Sequence, residues 1–166
     1  MNDLLYFSQL GRQELAIQNT DLNAIIADIE SMMETSLREA NATIDILEPL
    51  PTITCDLPRI TEVFRNLITN AVKYNDKPEI RVQIGCNHTQ SGNVFFVRDN
   101  GVGIPATFYA DVFRIFKRLN DEDDDVKGTG VGLTFVKKIV ERHNGQIWIE
   151  SEMGVGSTFY FTVGEP

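Results

Sequence analysis

Basic charge, cysteine, histidine and long apolar runs are all scarce in this 166-residue chain. Lysine and arginine number 15 against 24 aspartates and glutamates, a net charge of −9. A nucleic-acid binder needs a basic footprint to displace counterions, so that class is excluded. The two cysteines, Cys55 and Cys86, lack metal-site or redox spacing and are expected to be reduced thiols. The two isolated histidines, His88 and His143, are too few for a zinc centre. No apolar run reaches transmembrane length. The opening MNDLLYFSQLGR has neither the basic start nor the apolar stretch of a signal peptide. A cytoplasmic chain with no direct membrane contact is expected.

Hydrophobic residues make up 42%, enough for one real core. Residues 1–20 read as an appendage and linker, and residues 21–166 as the domain. Leu4–Arg12 carries Leu4, Leu5, Phe7 and Leu10 but is too short for an independent helix. Asp21 reads as an N-cap, followed by Leu22, Ile25, Ile26, Ile29, Met32, Met33 and Leu37 at helical spacing. Strands fit Thr43–Leu47 and Thr52–Cys55, separated by Glu48-Pro49-Leu50-Pro51. A helix opens at Leu57-Pro58. Strands at Glu79–Cys86 and Asn93–Arg98 form a hairpin, with Asp99 at its end. A short helical piece lies around Tyr109–Phe116, a helix at Val131–Arg142, and strands at Gln146–Glu150 and Ser157–Val163. The run Asp121–Asp125 reads as a solvated loop rather than a partner site. This order predicts an α+β fold: a two-layer sandwich with helices on one face of a mixed sheet.

Three segments carry chemistry. In the helix from Leu57, Ile60, Val63, Phe64, Leu67, Ile68, Ala71 and Val72 form one apolar face, and Glu62, Asn66, Asn70 and Lys73 fall together opposite it. Asparagine is a poor helix residue because its amide competes for backbone hydrogen bonds. Asn66 and Asn70, one turn apart, either form a structural hydrogen-bonded pair or turn hard oxygens toward a divalent cation. Lys73 could reach a phosphate. Next, Asp99-Asn100-Gly101-Val102-Gly103-Ile104-Pro105 is either an ordinary turn or a close-approach loop whose carboxylate reads an exocyclic amine, favouring adenine over guanine. Third, Gly128-Thr129-Gly130-Val131-Gly132-Leu133 opens a helix, where exposed N–H groups suit an anion. It is neither a dinucleotide fingerprint nor a Walker A loop. The three together specify the parts of Mg²⁺-ATP.

On these motifs the chain resembles the ATP-binding catalytic domain of bacterial sensor histidine kinases, in the superfamily shared with DNA gyrase, a heat-shock chaperone and a mismatch-repair ATPase. FRNLITNAVKYN (64–75) is similar to the N box, VRDNGVGIP (97–105) to the first glycine box and DVFRIFKRL (111–119) to the F box. Residues 128–133 are similar to the second glycine box and GSTFYF (156–161) to the closing strand of the adenine pocket. Residues 119–163 resemble phytochrome-like kinases in wording.

The resemblance implies a histidine kinase-like ATPase fold and a set of roles. Asn70 would ligate Mg²⁺ with help from Asn66, and Lys73 would contact phosphate. Tyr74 would line the site. Asp99 would bind the adenine amine, with Gly101, Gly103, Ile104 and Thr158 around it. Phe113 and Phe116 would anchor the ATP lid, and Arg118 would meet the γ-phosphate. Gly128, Thr129, Gly130, Val131, Gly132 and Leu133 would close over the phosphates. Hydrolysing relatives carry a glutamate one turn before the metal asparagine; here that position is Asn66, which cannot be a general base. The implied activity is protein histidine kinase. Glu62, one turn earlier still, is a candidate for proton transfer. The implied partners are a histidine-bearing dimerisation domain, whose last turns Leu4–Arg12 resembles, and a response regulator. The phosphoacceptor motif is absent, so a monomeric chain that binds ATP without phosphorylating itself is expected. A superfamily ATPase and a silent nucleotide-binding module are the competing readings.

Overall fold

A computed structural model describes residues 2–114 and 132–165. In chain order its elements are α1 (Asp3–Leu10), β1 (Ile17–Asp21), α2 (Leu22–Met32), α3 (Glu34–Glu39), β2 (Ala42–Ile46), β3 (Thr52–Asp56), α4 (Leu57–Lys73), β4 (Ile80–Thr89) and β5 (Gly92–Asp99). Two 3-10 turns follow at Ala106–Phe108 and Asp111–Phe113, then α5 (Gly132–Arg142), β6 (Ile147–Glu152) and β7 (Gly156–Thr162).

Five strands form one mixed sheet in the order β2-β4-β5-β7-β6. Only the β2–β4 pairing is parallel. Alternation along each strand puts Val82, Ile84, Phe95, Val97, Phe159 and Phe161 on one face. There they meet Ile25, Ile26 and Ile29 of α2, Ile60, Phe64 and Leu67 of α4, and Val136, Ile139 and Val140 of α5, all buried. Phe161 packs at 5.3 Å from Phe64 and 5.4 Å from Phe95, which joins the two layers. Each such side chain contributes about 1.5–3 kcal/mol by leaving water. The expected α+β sandwich is the fold observed. Among the described residues no helix is long and apolar enough to cross a membrane.

Asp56 joins three segments. Its Oδ1 caps α4 by accepting from Arg59 N at 3.1 Å, and its Oδ2 accepts from Ala16 N at 2.9 Å. Its own N–H donates to His143 Nε2 at 3.1 Å, while His143 Nδ1 lies 2.8 Å from the Ile139 carbonyl. One ring nitrogen accepts and the other donates, so buried His143 is the neutral Nδ1–H tautomer.

Several elements differ from expectation. Ile17–Asp21, read as linker, is a strand pairing antiparallel with β3 in a separate two-stranded sheet. The helix read from Leu22 to Leu37 is broken at Met33, and Met32 is 69% exposed instead of buried. The piece read around Tyr109–Phe116 is, over its described part, one 3-10 turn at Asp111–Phe113, with a second just before it at Ala106–Phe108. The short segment at Leu4 is helical because it docks: Tyr6 and Phe7 lie 5.2 Å and 6.2 Å from the Phe135 ring, and Leu10 is buried. Packing supplies what length does not.

Candidate functional site

α4 presents its apolar face to the sheet and holds Glu62, Asn66, Asn70 and Lys73, each half-buried, on another side. Asn66 Nδ2 donates to the Glu62 carbonyl at 2.9 Å. That bond fixes the amide, so Oδ1 is the end turned outward. It points at the start of α5: a Cβ on Gly132 would lie 3.0 Å from it. At Gly132 the start of α5 therefore meets α4 with only a glycine's clearance. Leu133, the next residue, is partly buried against the core.

Lys73 and Tyr74 close α4. Lys73 Nζ lies 5.3 Å from the Tyr74 ring centroid, and Tyr74 is 40% exposed. The Tyr74 carbonyl seats the first glycine loop. Val102 N donates to it at 3.3 Å, and a Cβ on Gly101 would lie 2.5 Å from it. Asn100, inside that loop, is structural: it accepts from Asn75 Nδ2 and Arg81 N and donates to the Glu79 carbonyl, each at 2.9 Å.

Asp99 ends β5 with its carboxylate half-occupied. Oδ1 accepts from Gly101 N at 2.8 Å and from Ser157 N at 3.2 Å. Oδ2 has no hydrogen-bond partner among the described residues. Burial pushes the carboxyl above its ordinary value, and those two N–H groups offset part of the rise. Such a group accepts a hydrogen bond from a bound ligand at little reorganisation.

The wall beside Asp99 is the β6–β7 turn. Gly103, at φ +79°, is pressed against it: a Cβ there would lie 2.3 Å from the Glu152 carbonyl. Ile104 N donates to Ser151 Oγ at 2.7 Å. Gly156, at φ +142°, lies so close to β5 that a Cβ would meet the Asp99 carbonyl at 2.0 Å.

Thr158 does not join this site. In the register it sits opposite Arg98, on the face turned away from the helices, where its Oγ1 accepts from Arg98 Nε at 3.3 Å. Its neighbour Ser157 is the residue that meets Asp99. Strand alternation places one of the two inward, and only the pairing with β5 says which. Ser151 and Tyr109 are further residues at the site that the motifs did not single out. Phe113 packs edge-on against Phe159 at 6.3 Å and its carbonyl accepts from Thr134 Oγ1 at 3.0 Å, so α5 and the 3-10 turn at Asp111–Phe113 are fastened together. Glu62 is engaged elsewhere. Its carboxylate takes the Tyr6 hydroxyl at 2.6 Å and lies 3.5 Å from Arg59. Phe116, Arg118, Gly128, Thr129, Gly130, Val131 and the acidic run 121–125 lie outside the described residues.

Asn66 and Asn70 are the residues of this site that could hold a cation. Among the described residues no three His, Cys, Asp or Glu cluster to hold a metal. The outward Asn66 oxygen, with Asn70 one turn on, is a neutral hard donor set of the kind that shares a hydrated Mg²⁺ with phosphates.

Residues 55–166 match the family described as histidine kinase-, DNA gyrase B- and HSP90-like ATPase. Cyanobacterial phytochrome B of Nostoc sp. is 49% identical over 98% of this chain, which spans 22% of that relative's length. Full-length ShkA, solved in complex with AMPPNP, superposes with a TM-score of 0.80 at 28% identity, over 96% of this chain and 34% of that one. The catalytic domain of the histidine kinase ThkA superposes at 0.75, over 90% of this chain and 96% of that one; at 24% identity it shows the fold.

Proposed function

The chain belongs to the histidine kinase-, DNA gyrase B- and HSP90-like ATPase family, and from that premise we propose that it is the ATP-binding catalytic domain of a two-component sensor histidine kinase. The observation that carries the reading is the placement of Asn66. It faces the start of α5 with an amide oxygen, at the position where hydrolysing relatives hold a glutamate. An amide cannot take a proton from water. The site thus holds ATP for another nucleophile, a histidine on a dimerisation domain.

Each part of the nucleotide has a candidate holder. Asp99 Oδ2 accepts from the adenine amine. Asn70 and Asn66 hold Mg²⁺, which when bound neutralises phosphate charge. Lys73 and Arg118 meet phosphate, and Gly128 to Leu133 cover it. A response regulator would receive the phosphoryl group from the complete protein, in the cytoplasm. Neither described histidine serves as acceptor: His143 is buried with both ring nitrogens engaged, and His88 lies on β4 bonded to Asn93. α1 is read as the end of the dimerisation helix and residues 11–16 as its link to β1.

The test is phosphotransfer from labelled Mg-ATP to a separately supplied histidine-bearing dimerisation domain. Acid-labile label should appear on that domain and not on this chain. Steady phosphate release instead would show a hydrolase, and acid-labile label on this chain alone would overturn the need for a partner. Asn70→Ala should abolish Mg²⁺-dependent nucleotide binding.

A further inference from the structure

The Ser151 hydroxyl sits among three oxygen or nitrogen partners and has only one proton. Ile104 N–H, which can only donate, points at it from 2.7 Å. The Gly156 carbonyl, which can only accept, lies 3.0 Å away. The third neighbour, Ser157 Oγ, is 2.7 Å away and can do either. If the Ser151 proton went to Ser157, its lone pairs would face the Gly156 carbonyl. Sending the proton to Gly156 removes that repulsion and leaves Ser151 accepting twice, from Ile104 N–H and from Ser157. The Ser157 proton is then committed to Ser151, and the Ser157 oxygen offers only lone pairs to anything else.

Ser151 is held rigidly enough to impose this. The Tyr109 hydroxyl donates to the Ser151 carbonyl at 2.7 Å and accepts from Ser151 N at 2.9 Å, which clamps its backbone from both sides. Ser157 is buried, and its own N–H is on Asp99 Oδ1. The corner where Asp99 and Ser157 meet is therefore lined by a carboxylate oxygen and a hydroxyl oxygen whose proton has been turned away.

We infer that Ser151, clamped by Tyr109, is a specificity-determining positioning residue: it fixes the polarity of the Ser157 hydroxyl so that the base pocket presents acceptors only, selecting a 6-aminopurine nucleotide over a 6-oxopurine one. The inference rests on the reading of Asp99 as the base-binding carboxylate. A 6-amino group donates into such a corner. A 6-oxo group brings lone pairs against lone pairs. A Ser157 hydroxyl free to turn would donate to the 6-oxo group and relax the choice.

The experiment measures binding of Mg-ATP and Mg-ITP to the wild-type chain and to Ser151→Ala, Ser151→Thr and Tyr109→Phe, with thermal melting to confirm that each is folded. In Ser151→Ala the ITP/ATP ratio of dissociation constants should fall about tenfold, the worth of one misdirected hydrogen bond. Ser151→Thr, which keeps the hydroxyl, should restore the ratio, and Tyr109→Phe should fall between. A merely structural role weakens both nucleotides alike, so an unchanged ratio in Ser151→Ala overturns the inference. Should Ser151→Ala fail to fold, the Tyr109→Phe ratio decides in the same way. A wild-type chain that binds neither nucleotide would instead overturn the nucleotide-site reading beneath it.

Discussion

The Tyr6 hydroxyl donates to the Glu62 carboxylate at 2.6 Å, across 56 residues of chain. Arg59 closes the group, bonding the same hydroxyl at 2.7 Å and the side chain of Gln13 at 2.7 Å. Arg142 adds a bond to the Gln13 carbonyl, and Lys138 lies over the Phe7 ring at 5.8 Å. α1 is thus fastened to both helices that frame the candidate site, and one attachment point is a single turn from Asn66.

Tyr6→Phe should lower stability by about 1 kcal/mol, the scale of a partly exposed charge-assisted hydrogen bond. Burial first, and then the Glu62 carboxylate, raise the Tyr6 hydroxyl above its ordinary value of 10.0. A proton held more tightly in the folded chain stabilises the fold below the ordinary value. That contribution is lost as pH climbs through the raised one. Melting curves of the variant should therefore lie below wild type at neutral pH and converge with it in strong alkali. A deficit that persists undiminished there would count against the hydroxyl as its source.

Asp99→Asn should separate binding from stability. Burial raises this carboxyl above 3.8, so its protonation favours the fold only in acid. The contribution is gone once pH has risen through the raised value, and at neutral pH a charged group sits in the fold at a cost. Asparagine removes the charge and keeps an oxygen for Gly101 N and Ser157 N. The melting temperature at neutral pH should hold or rise. ATP affinity should fall about 100-fold or more, because an amide NH₂ would face the adenine amine. Calorimetric titration beside melting checks both halves.

Gly132→Ala should weaken Mg-ATP binding by about threefold to tenfold while leaving the fold intact, since alanine is the better helix former. Its Cβ would sit 3.0 Å from Asn66 Oδ1 and displace that oxygen by a few tenths of an ångström. Equal Mg-ATP affinity in the variant would show that the clearance at this point is not a constraint.

Gly156→Ala should be far more severe. Its φ of +142° disfavours any side chain, and the added carbon would lie 2.0 Å from the Asp99 carbonyl. A loss of about 2 kcal/mol or more is expected, with ATP affinity falling alongside because Asp99 itself must move. A variant that melts with wild type would contradict the tight β5–β7 approach.

What was legible in the sequence follows from period and chemistry. The apolar face of α4 repeats at helical spacing, so its polar stripe could be named residue by residue before any fold was known. The Asp99 loop was legible because its glycines permit close approach, and Gly101 and Gly103 do lie against Tyr74 and Glu152. The resemblance points to Thr158, yet it is Ser157 whose N–H meets Asp99, because strand period gives two faces without saying which is inward. β1 leaves no pattern to read because Ile17–Asp21 is short and polar, and its order comes from pairing with β3. Glu62 shares the stripe with Asn66, yet its side chain answers to Tyr6, a contact that no local pattern encodes.

α4 holds the core with Phe64, Leu67 and Ile68 and offers the site with Asn66 and Asn70. Inserting or deleting one residue turns everything beyond it by about 100°. That would carry asparagines toward the sheet and leucines toward solvent in a single step. Descendants of this sequence can exchange residues along the helix but cannot change its length between Asp56 and Tyr74. Diversity in ligand handling must come from the loops at its two ends.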